Sequence, residues 1–360
     1  MVSPGSFGGL ESVVLALLAG QKERGHDVSV SASVRPETPN DFVAALGAAG
    51  VPVFRSPAGR LAEAWAIRQL VVGDGFDVVH SHGYRSDVSA RLATVGLRTR
   101  LVSTVHGFTG GGIKNRLFER IQVGALRWFD AVAAVSRPLH QHLIAAGVSA
   151  NRVRLIPNAA RPIEFLDRGA ARRRLGLPEG AMVVGWVGRL SQEKAPLLAL
   201  AAWARLDRPD WHGVVVGDGP QRAAVDQAAL GQGLAGRVTI TGPLASAAEL
   251  MRAFDVLTVS SETEGTPMVV LEAMAAGVSV VATAVGGVPE LIADAGLLVP
   301  SGDVAGLAAA IGRLLSDPEE ARRLGAVAAH RLATVYAADR WHQAYAGLYR
   351  GAAGQEGSGW

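Results

Sequence analysis

Glu264 and Glu272 stand eight positions apart, with Gly265-Thr266-Pro267 between them and the pair Gly286-Gly287 downstream. Met268–Ala276 reads as a helix, and Pro267 suits its first turn, where a missing N–H costs nothing. The open amides of Thr266, Met268 and Val269 then point out of the helix start, with the positive end of the helix dipole behind them. That is a site for an anion such as a diphosphate. Glu264, in the preceding loop, is placed to reach whatever that anion carries. Glu272, about two turns further on, can accept hydrogen bonds from hydroxyls on its other side. Two acceptors flanking an anion hole describe a sugar–nucleotide site better than a protease or a metal site. A buried βα unit with two solvated acids is the plainer reading of such a pair. The Gly-Thr-Pro insertion and the trailing glycines weigh against it.

Departure of a nucleoside diphosphate builds negative charge that needs cations. Arg189 and Lys194 follow a candidate strand at 183–187 and lie five positions apart, so both can converge on one diphosphate. Arginine supplies a planar fork and lysine a point charge; two solvated loop cations are the alternative. Gly8 and Gly9 precede a helix over 10–24 and can cap the same phosphate with close backbone approach, or simply make a tight turn. His106 follows a strand at 101–105, at a carboxyl end where ligands bind in parallel sheets; a buried structural histidine competes with that reading. His80 and His82 border another strand end, with a structural or an acceptor-side role. Ser136 and Asn158 are expected to shape the hinge and cleft. Gly217-Asp218-Gly219-Pro220 reads as a turn lining the nucleotide pocket, and Gly242-Pro243-Leu244 as backbone presented to the base. The chain has no Asp-x-Asp and no His/carboxylate cluster with ligand spacing. No metal and no cofactor beyond a donor substrate is expected.

These groups need rigid elements behind them. Apolar strands alternate with amphipathic helices throughout, which argues for doubly wound parallel sheets. Candidate strands lie at 27–33, 78–80, 101–105 and 131–136, then at 183–187, 213–216, 238–241, 256–260 and 278–282. A length of 360 residues, 49% of them hydrophobic and 19% charged, suits two cores. Zero cysteines exclude disulfides, thiolate metal sites and a thiol nucleophile. With no signal peptide expected at the start and no apolar run of the roughly 18–20 residues that span a bilayer, a cytoplasmic protein is expected. One feature runs against the pattern. Only Met1-Val2-Ser3 precedes the loop from Pro4 to Gly9, where such a domain normally has a central strand.

Glu264 to Glu272 resembles the E-x7-E signature of retaining glycosyltransferases of family 4. Further pieces occur in that family's order: Gly8-Gly9-Leu10-Glu11, Arg24-Gly25-His26-Asp27-Val28, Thr104-Val105-His106-Gly107 and Ile156-Pro157-Asn158. Then come Gly188-Arg189-Leu190-Ser191-Gln192-Glu193-Lys194, Gly217-Asp218-Gly219-Pro220 and Gly286-Gly287-Val288-Pro289-Glu290. The resemblance implies the GT-B fold, two facing Rossmann-like domains with a C-terminal helix crossing back to the first. On that pattern residues 1–160 bind the acceptor and 161–339 the nucleotide sugar, 340–350 cross back, and 351–360 form a flexible tail. It implies that His106 hydrogen-bonds the transferred sugar and that Glu264 holds sugar hydroxyls while Glu272 holds the ribose. Gly265, Thr266, Pro267, Gly217 and Leu244 complete the donor pocket. It favours front-face attack over a glycosyl-enzyme intermediate, although the two carboxylates alone allow either. Ala195-Pro196 stands where the family more often has glycine, a stiffer loop.

The reading is therefore a retaining transferase moving a sugar from a nucleotide-diphosphate donor to a hydroxyl of a glycan, lipid-linked or small-molecule acceptor. A non-hydrolysing sugar–nucleotide 2-epimerase and a non-catalytic sugar–nucleotide-binding partner are the alternatives. Residues 1–160 carry 17 Lys and Arg against 11 Asp and Glu, net +6, whereas 161–360 carry 18 against 21, net −3. A basic acceptor half suits an anionic acceptor or an anionic membrane surface; no nucleic-acid motif accompanies it. Residues 108–128, with Lys114, Arg116, Arg120 and Arg127 beside Leu117, Phe118 and Ile121 after Gly110-Gly111-Gly112, read as a basic amphipathic helix. Its uses are a solvated face, docking at the inner face of the membrane, or capture of a soluble anionic acceptor.

Overall fold

Short β-branched runs buried on both faces, separated by helices of two to five turns, produce two parallel α/β units, Met1–Asn158 with Ala338–Trp360, and Ala159–Ala337. The computed structural model describes residues 1–4, 8–34, 40–57, 59–108, 113–231, 233–244 and 247–351, without the side chains of 113 and 114. The Gly110-Gly111-Gly112 segment, the Lys114 side chain and the tail beyond 351 lie outside the described residues.

The first unit runs α1 (Gly9–Glu23), β1 (Val30–Ala32), α2 (Asp41–Ala48), β2 (Val53–Arg55), α3 (Arg60–Asp74) and β3 (Val78–His82). It continues with α4 (Tyr84–Ala93), β4 (Arg100–Val105), α5 (Ile113–Leu126), β5 (Ala131–Ala134), α6 (Arg137–Ala145) and β6 (Val153–Leu155). Strands β3-β4-β5-β6 form one parallel sheet and β1-β2 a parallel pair. Val2 joins them, bridging Ala32 on one side and His82 on the other. Its N–H donates to Ser31 and its carbonyl accepts from Ser33, both at 3.1 Å, while the Met1 carbonyl accepts from the His82 N–H at 3.0 Å. Val2 is thus paired through both backbone groups with the β1 side, and Met1 with β3, its amino group donating to the His80 carbonyl at 2.6 Å. Leu126, Phe129 and Leu143 are fully buried in the main core, and Val2, Phe42 and Leu46 anchor a smaller one beside it.

The second unit begins with α7 (Arg168–Arg174), β7 (Met182–Val187), α8 (Pro196–Trp203), β8 (Trp211–Val216), α9 (Arg222–Leu230) and β9 (Val238–Gly242). Next come β10 (Val256–Val259), α10 (Met268–Ala276), β11 (Ser279–Thr283), α11 (Val288–Ile292), β12 (Leu297–Val299), α12 (Val304–Ser316) and α13 (Pro318–Val335). Its six-stranded sheet has the order β12-β11-β10-β7-β8-β9. The chain leaves β7 in one direction for β8 and β9, then returns to its other side for β10 to β12. The switch point therefore lies between β7 and β10, the place where open parallel sheets bind ligands beyond their carboxyl ends.

The polar stretch 158–180 holds α7. Arg168 and Arg172 of that helix clamp Asp255 at 2.5 and 2.8 Å, and Asp255 also accepts from the Val183 N–H at 2.6 Å. The Arg172-Arg173-Arg174 run closes that helix, its cations suiting the negative helix end. β3 runs past the expected 78–80 to His82, so His80 lies inside the strand and His82 stands at its carboxyl end. The last helix, α14 (Ala338–Arg350), packs its buried Trp341, Tyr345 and Leu348 into the first unit.

Candidate active site

In the second unit the loops after β7 and β10 emerge side by side at the switch point. A single turn of 3₁₀ helix, Gln192–Lys194, projects Lys194 from the first loop, and Glu264 comes from the second. Lys194 Nζ lies 2.7 Å from both Oε1 and Oε2 of Glu264, and Ser261 Oγ donates to Oε1 at 2.7 Å. The carboxylate is 6% exposed, its lysine 32%. Backbone bonds fix the two loops: the Glu262 N–H donates to the Glu193 carbonyl at 2.8 Å. Ser260 Oγ accepts from the Trp186 indole at 3.0 Å and donates to the Ala195 carbonyl at 2.8 Å. Arg189, by contrast, stands exposed with no polar partner among the described residues. The two cations share the strand end but not a common partner.

Two glycines let neighbouring loops meet without a side chain between them. A Cβ on Gly286, whose φ is +53°, would lie 1.7 Å from the Glu264 carbonyl oxygen. One on Gly217, φ +139°, would lie 1.8 Å from the Gly188 carbonyl oxygen. Glu264 and Arg189 are therefore each backed by a glycine turn, and the Gly287 N–H closes on the Gly265 carbonyl at 3.1 Å. Ala195 is a different case. It caps α8 in the left-handed region at φ 46°, a conformation costing a non-glycine residue about 1–2 kcal/mol. The stiffening expected of Ala195-Pro196 is strain held between the Lys194 turn and the helix.

Pro267 does not enter the first turn of α10. With φ −69° and ψ 123° it is the residue before the helix, and no side chain caps the helix start. Thr266 is buried beside it. Of the helix-start amides, those of Val270 and Leu271 close on the Pro267 carbonyl at 3.2 and 3.4 Å, which leaves Met268 and Val269 to face the loop. Gly217 donates to the Gly242 carbonyl at 2.9 Å, which carries the pocket floor toward β9 and the half-buried Leu244.

Glu272, in the second half of α10, is pushed up to about 7 by burial, with Arg161 pulling partly the other way. A ligand whose hydroxyls donate to it needs the carboxylate, so binding should strengthen as pH rises through about 7 and then level off. The folded pKa lies above the ordinary one. Burial of this acid therefore lowers stability as pH rises from about 4.5 to about 7. Donor dissociation constants measured across that window should show the slope in the native protein and lose it in Glu272→Gln.

The first unit gathers three histidines. His82 Nδ1 meets His106 Nε2 at 3.0 Å, and the His80 and His82 rings lie 4.3 Å apart. His80 bonds Tyr349 Oη at 2.8 Å and Thr104 Oγ1 at 2.9 Å, and Thr104 in turn meets Tyr345 Oη at 2.9 Å. Burial holds His106 down at about 4 and keeps His80 and His82 well below the usual histidine range. All three are neutral near pH 7, so any polar contact His106 makes there is a hydrogen bond and not an ion pair. One nitrogen of the His82–His106 pair must carry the proton for the other, which ties the two tautomers together. Of the N-terminal glycines, Gly8 has its N–H accepted by the Glu11 carboxylate at 3.1 Å. That amide already has an acceptor; both glycines are exposed. Ser136 starts α6, and Asn158 ends the unit, both buried.

Residues 181–317 match the family model for glycosyl transferases group 1, and residues 7–162 that for glycosyltransferase family 4. A D-inositol 3-phosphate glycosyltransferase of Geodermatophilus obscurus is 33% identical over 310 residues, 77% of this chain and 67% of that protein. The chain belongs to glycosyltransferase family 4. A 2-deoxystreptamine N-acetyl-D-glucosaminyltransferase of Streptomyces fradiae is 38% identical over 210 residues, 56% of this chain and 50% of that protein. Against that relative and two further D-inositol 3-phosphate glycosyltransferases, this chain spans 50 to 63% of their length. Among solved structures, Anabaena HepE in complex with UDP-glucose superposes with a TM-score of 0.85 at 24% identity. That match covers 96% of this chain and 97% of HepE. The family 4 fold, two Rossmann-like domains, is thereby established for this chain, and no helix among its described residues is long and apolar enough to cross a membrane.

Sequence reasoning missed Asp87, which is fully buried in the first turn of α4. Ser81 Oγ and Ser103 Oγ donate to its Oδ1 at 2.6 and 2.8 Å, and Gln122 Nε2 donates to Oδ2 at 2.7 Å. One acid thus ties β3, β4 and α5 together below the histidines. An acid in the polar string Tyr84-Arg85-Ser86-Asp87 reads as solvated, so no local signal reveals it. Ser261, the second partner of Glu264, was equally silent.

Proposed function

We propose that this chain is a retaining glycosyltransferase that moves a sugar from a nucleotide-diphosphate donor to an acceptor hydroxyl of a glycan, lipid-linked molecule or small molecule. The observation that carries the reading is the Lys194–Glu264–Ser261 constellation, at the switch point of a parallel sheet and one loop from the uncapped start of α10. Arg189, with no partner of its own, and Lys194 would neutralise the departing diphosphate, assisted by the α10 amides. Glu264 would hold sugar hydroxyls, Glu272 the ribose, and Gly217 and Leu244 the rest of the nucleotide. Family 4 membership supports these assignments, as do relatives named for glycosyl transfer to 2-deoxystreptamine and D-inositol 3-phosphate and the UDP-glucose complex of HepE.

Front-face attack fits this arrangement better than a glycosyl-enzyme intermediate. Glu264 is clamped by a lysine and a serine, and both contacts hold its negative charge away from nucleophilic work. His106, neutral, would hydrogen-bond the transferred sugar, with the leaving phosphate taking the acceptor proton.

Incubation with UDP- and GDP-sugars should release nucleoside diphosphate only when a hydroxyl acceptor is present, and the product should keep the donor's anomeric configuration by NMR. Sugar epimerisation without release would instead identify an epimerase, and binding without turnover a non-catalytic partner. Because among the described residues no His/Asp/Glu cluster could hold a metal, turnover is also expected to survive chelator. Loss of activity in chelator, restored by Mg²⁺ or Mn²⁺, would contradict that part of the proposal.

A further inference from the structure

Eight of the nine large apolar side chains exposed among the described residues belong to α3, α4, α5 and the residues just after them. On α3, Leu61, Trp65 and Val72 are 78, 65 and 61% exposed. Positions spaced by four and then seven fall on one stripe of a helix. On α5 and just beyond, Leu117, Ile121 and Trp128 repeat that spacing at 54, 39 and 69% exposure. Leu92 and Val95 fill the end of α4 between them.

Two arginines join the stripes into one surface. Arg68 of α3 donates to the carbonyls of Ala93 and Val95 at 3.0 and 2.8 Å. The Arg91 guanidinium of α4 lies 5.4 Å from the centre of the Trp128 ring. The surroundings are basic. Residues 60–128 contain ten Lys and Arg against five Asp and Glu, and two of those acids, Glu63 and Asp87, are buried. A third acid, Glu119, is held by His142 at 2.8 Å.

We propose that this face of the first unit docks on an anionic bilayer surface. Two exposed tryptophans on a basic surface, one with an arginine over its ring, suit a headgroup layer, where an aromatic ring sinks and a guanidinium stays with phosphate. Each cation near such a surface strengthens partitioning by about fivefold. A second copy of the chain is a poorer occupant, because a twofold interface would set this basic face against itself. The inference does not depend on sugar transfer.

The test is co-sedimentation of the whole chain with phosphatidylcholine vesicles, with and without phosphatidylglycerol. Binding to the anionic vesicles, at least tenfold weaker to the zwitterionic ones and weakened by salt, is the expected result. Trp65→Ser with Trp128→Ser should reduce binding at least tenfold at unchanged melting temperature, since both side chains are exposed. Arg116→Gln with Arg120→Gln should flatten the salt dependence. Brominated lipid should quench fluorescence in the native chain and much less in Trp65→Phe/Trp128→Phe, a readout that simple charge attraction would not give. Absence of binding at low salt overturns the proposal, as does binding indifferent to the tryptophan changes. A dimer in sedimentation velocity that the same changes dissociate would assign the face to a second copy and likewise overturn it.

Discussion

Arg189→Ala is expected to slow sugar transfer by about 10²-fold while leaving the melting temperature unchanged. Removing a charge-assisted donor to a developing anion typically costs about 2.7–4 kcal/mol of transition-state stabilisation. Arg189 is exposed and has no polar partner among the described residues, so folding loses nothing when it goes. Lys194→Ala should slow transfer similarly but also destabilise the second unit. Glu264 would be left 6% exposed with Ser261 as its side-chain donor. Lys194 is 32% exposed, so the penalty is discounted from that of a fully buried pair, to about 1–3 kcal/mol. Lys194→Ala with Glu264→Gln should recover part of that stability and none of the activity, because the neutral amide no longer needs a counter-charge. Melting curves and single-turnover rates on these variants check the assignment. Wild-type turnover in Arg189→Ala would remove it from the mechanism.

What the sequence made legible follows from how local each cause is. The alternation of β-branched runs and helical periods is local, so the parallel α/β architecture could be read from it directly. Glycine at 217 and 286 is local in its cost but not in its reason. The reason is a carbonyl from residue 188 or 264 arriving within 2 Å of where a Cβ would stand. The Lys194–Glu264 pair spans seventy positions and was visible only as two separate motifs. Each was read as facing a ligand, whereas in the structure they face each other. The slot filled by Val2 shows the opposite limit. Two residues bridge the strands on either side, because Val2 pairs with Ser31 and Ser33 on one side while Met1 pairs with His80 and His82 on the other. Tyr345 and Tyr349 both stand on the last helix, α14. That their hydroxyls reach Thr104 and His80 depends on α14 packing against β4, which no short-range pattern encodes.

Asp87 is where that non-local part should weigh most. Asp87→Ala is expected to destabilise the first unit by about 3–5 kcal/mol, because buried donors left without an acceptor cost about 1–3 kcal/mol each. The change would strand Ser103 Oγ and Gln122 Nε2 without their acceptor and leave Ser81 Oγ with only a 3.4 Å contact to the Val102 carbonyl. Asp87→Asn should cost far less. Its Oδ1 still accepts from both serines, and the Gln122 amide can turn to present oxygen to the new N–H₂. The two variants also separate charge from connectivity. Burial pushes Asp87 up to about 6 against the three hydrogen bonds that favour its anion. In the unfolded chain an aspartate ionises near 4, at about 3.9, so between about 4 and 6 the folded state holds the extra proton. The contribution of this residue to stability therefore falls as pH rises through that window and is constant above it. Denaturant unfolding of the native protein and of Asp87→Asn at pH 4.5 and 6.5 should differ in pH dependence by this residue's share alone, since Glu272 and the buried histidines titrate in both, while Asp87→Asn keeps most of the stability. An Asp87→Ala variant as stable as the native chain would mean that β3, β4 and α5 are held by their apolar core alone.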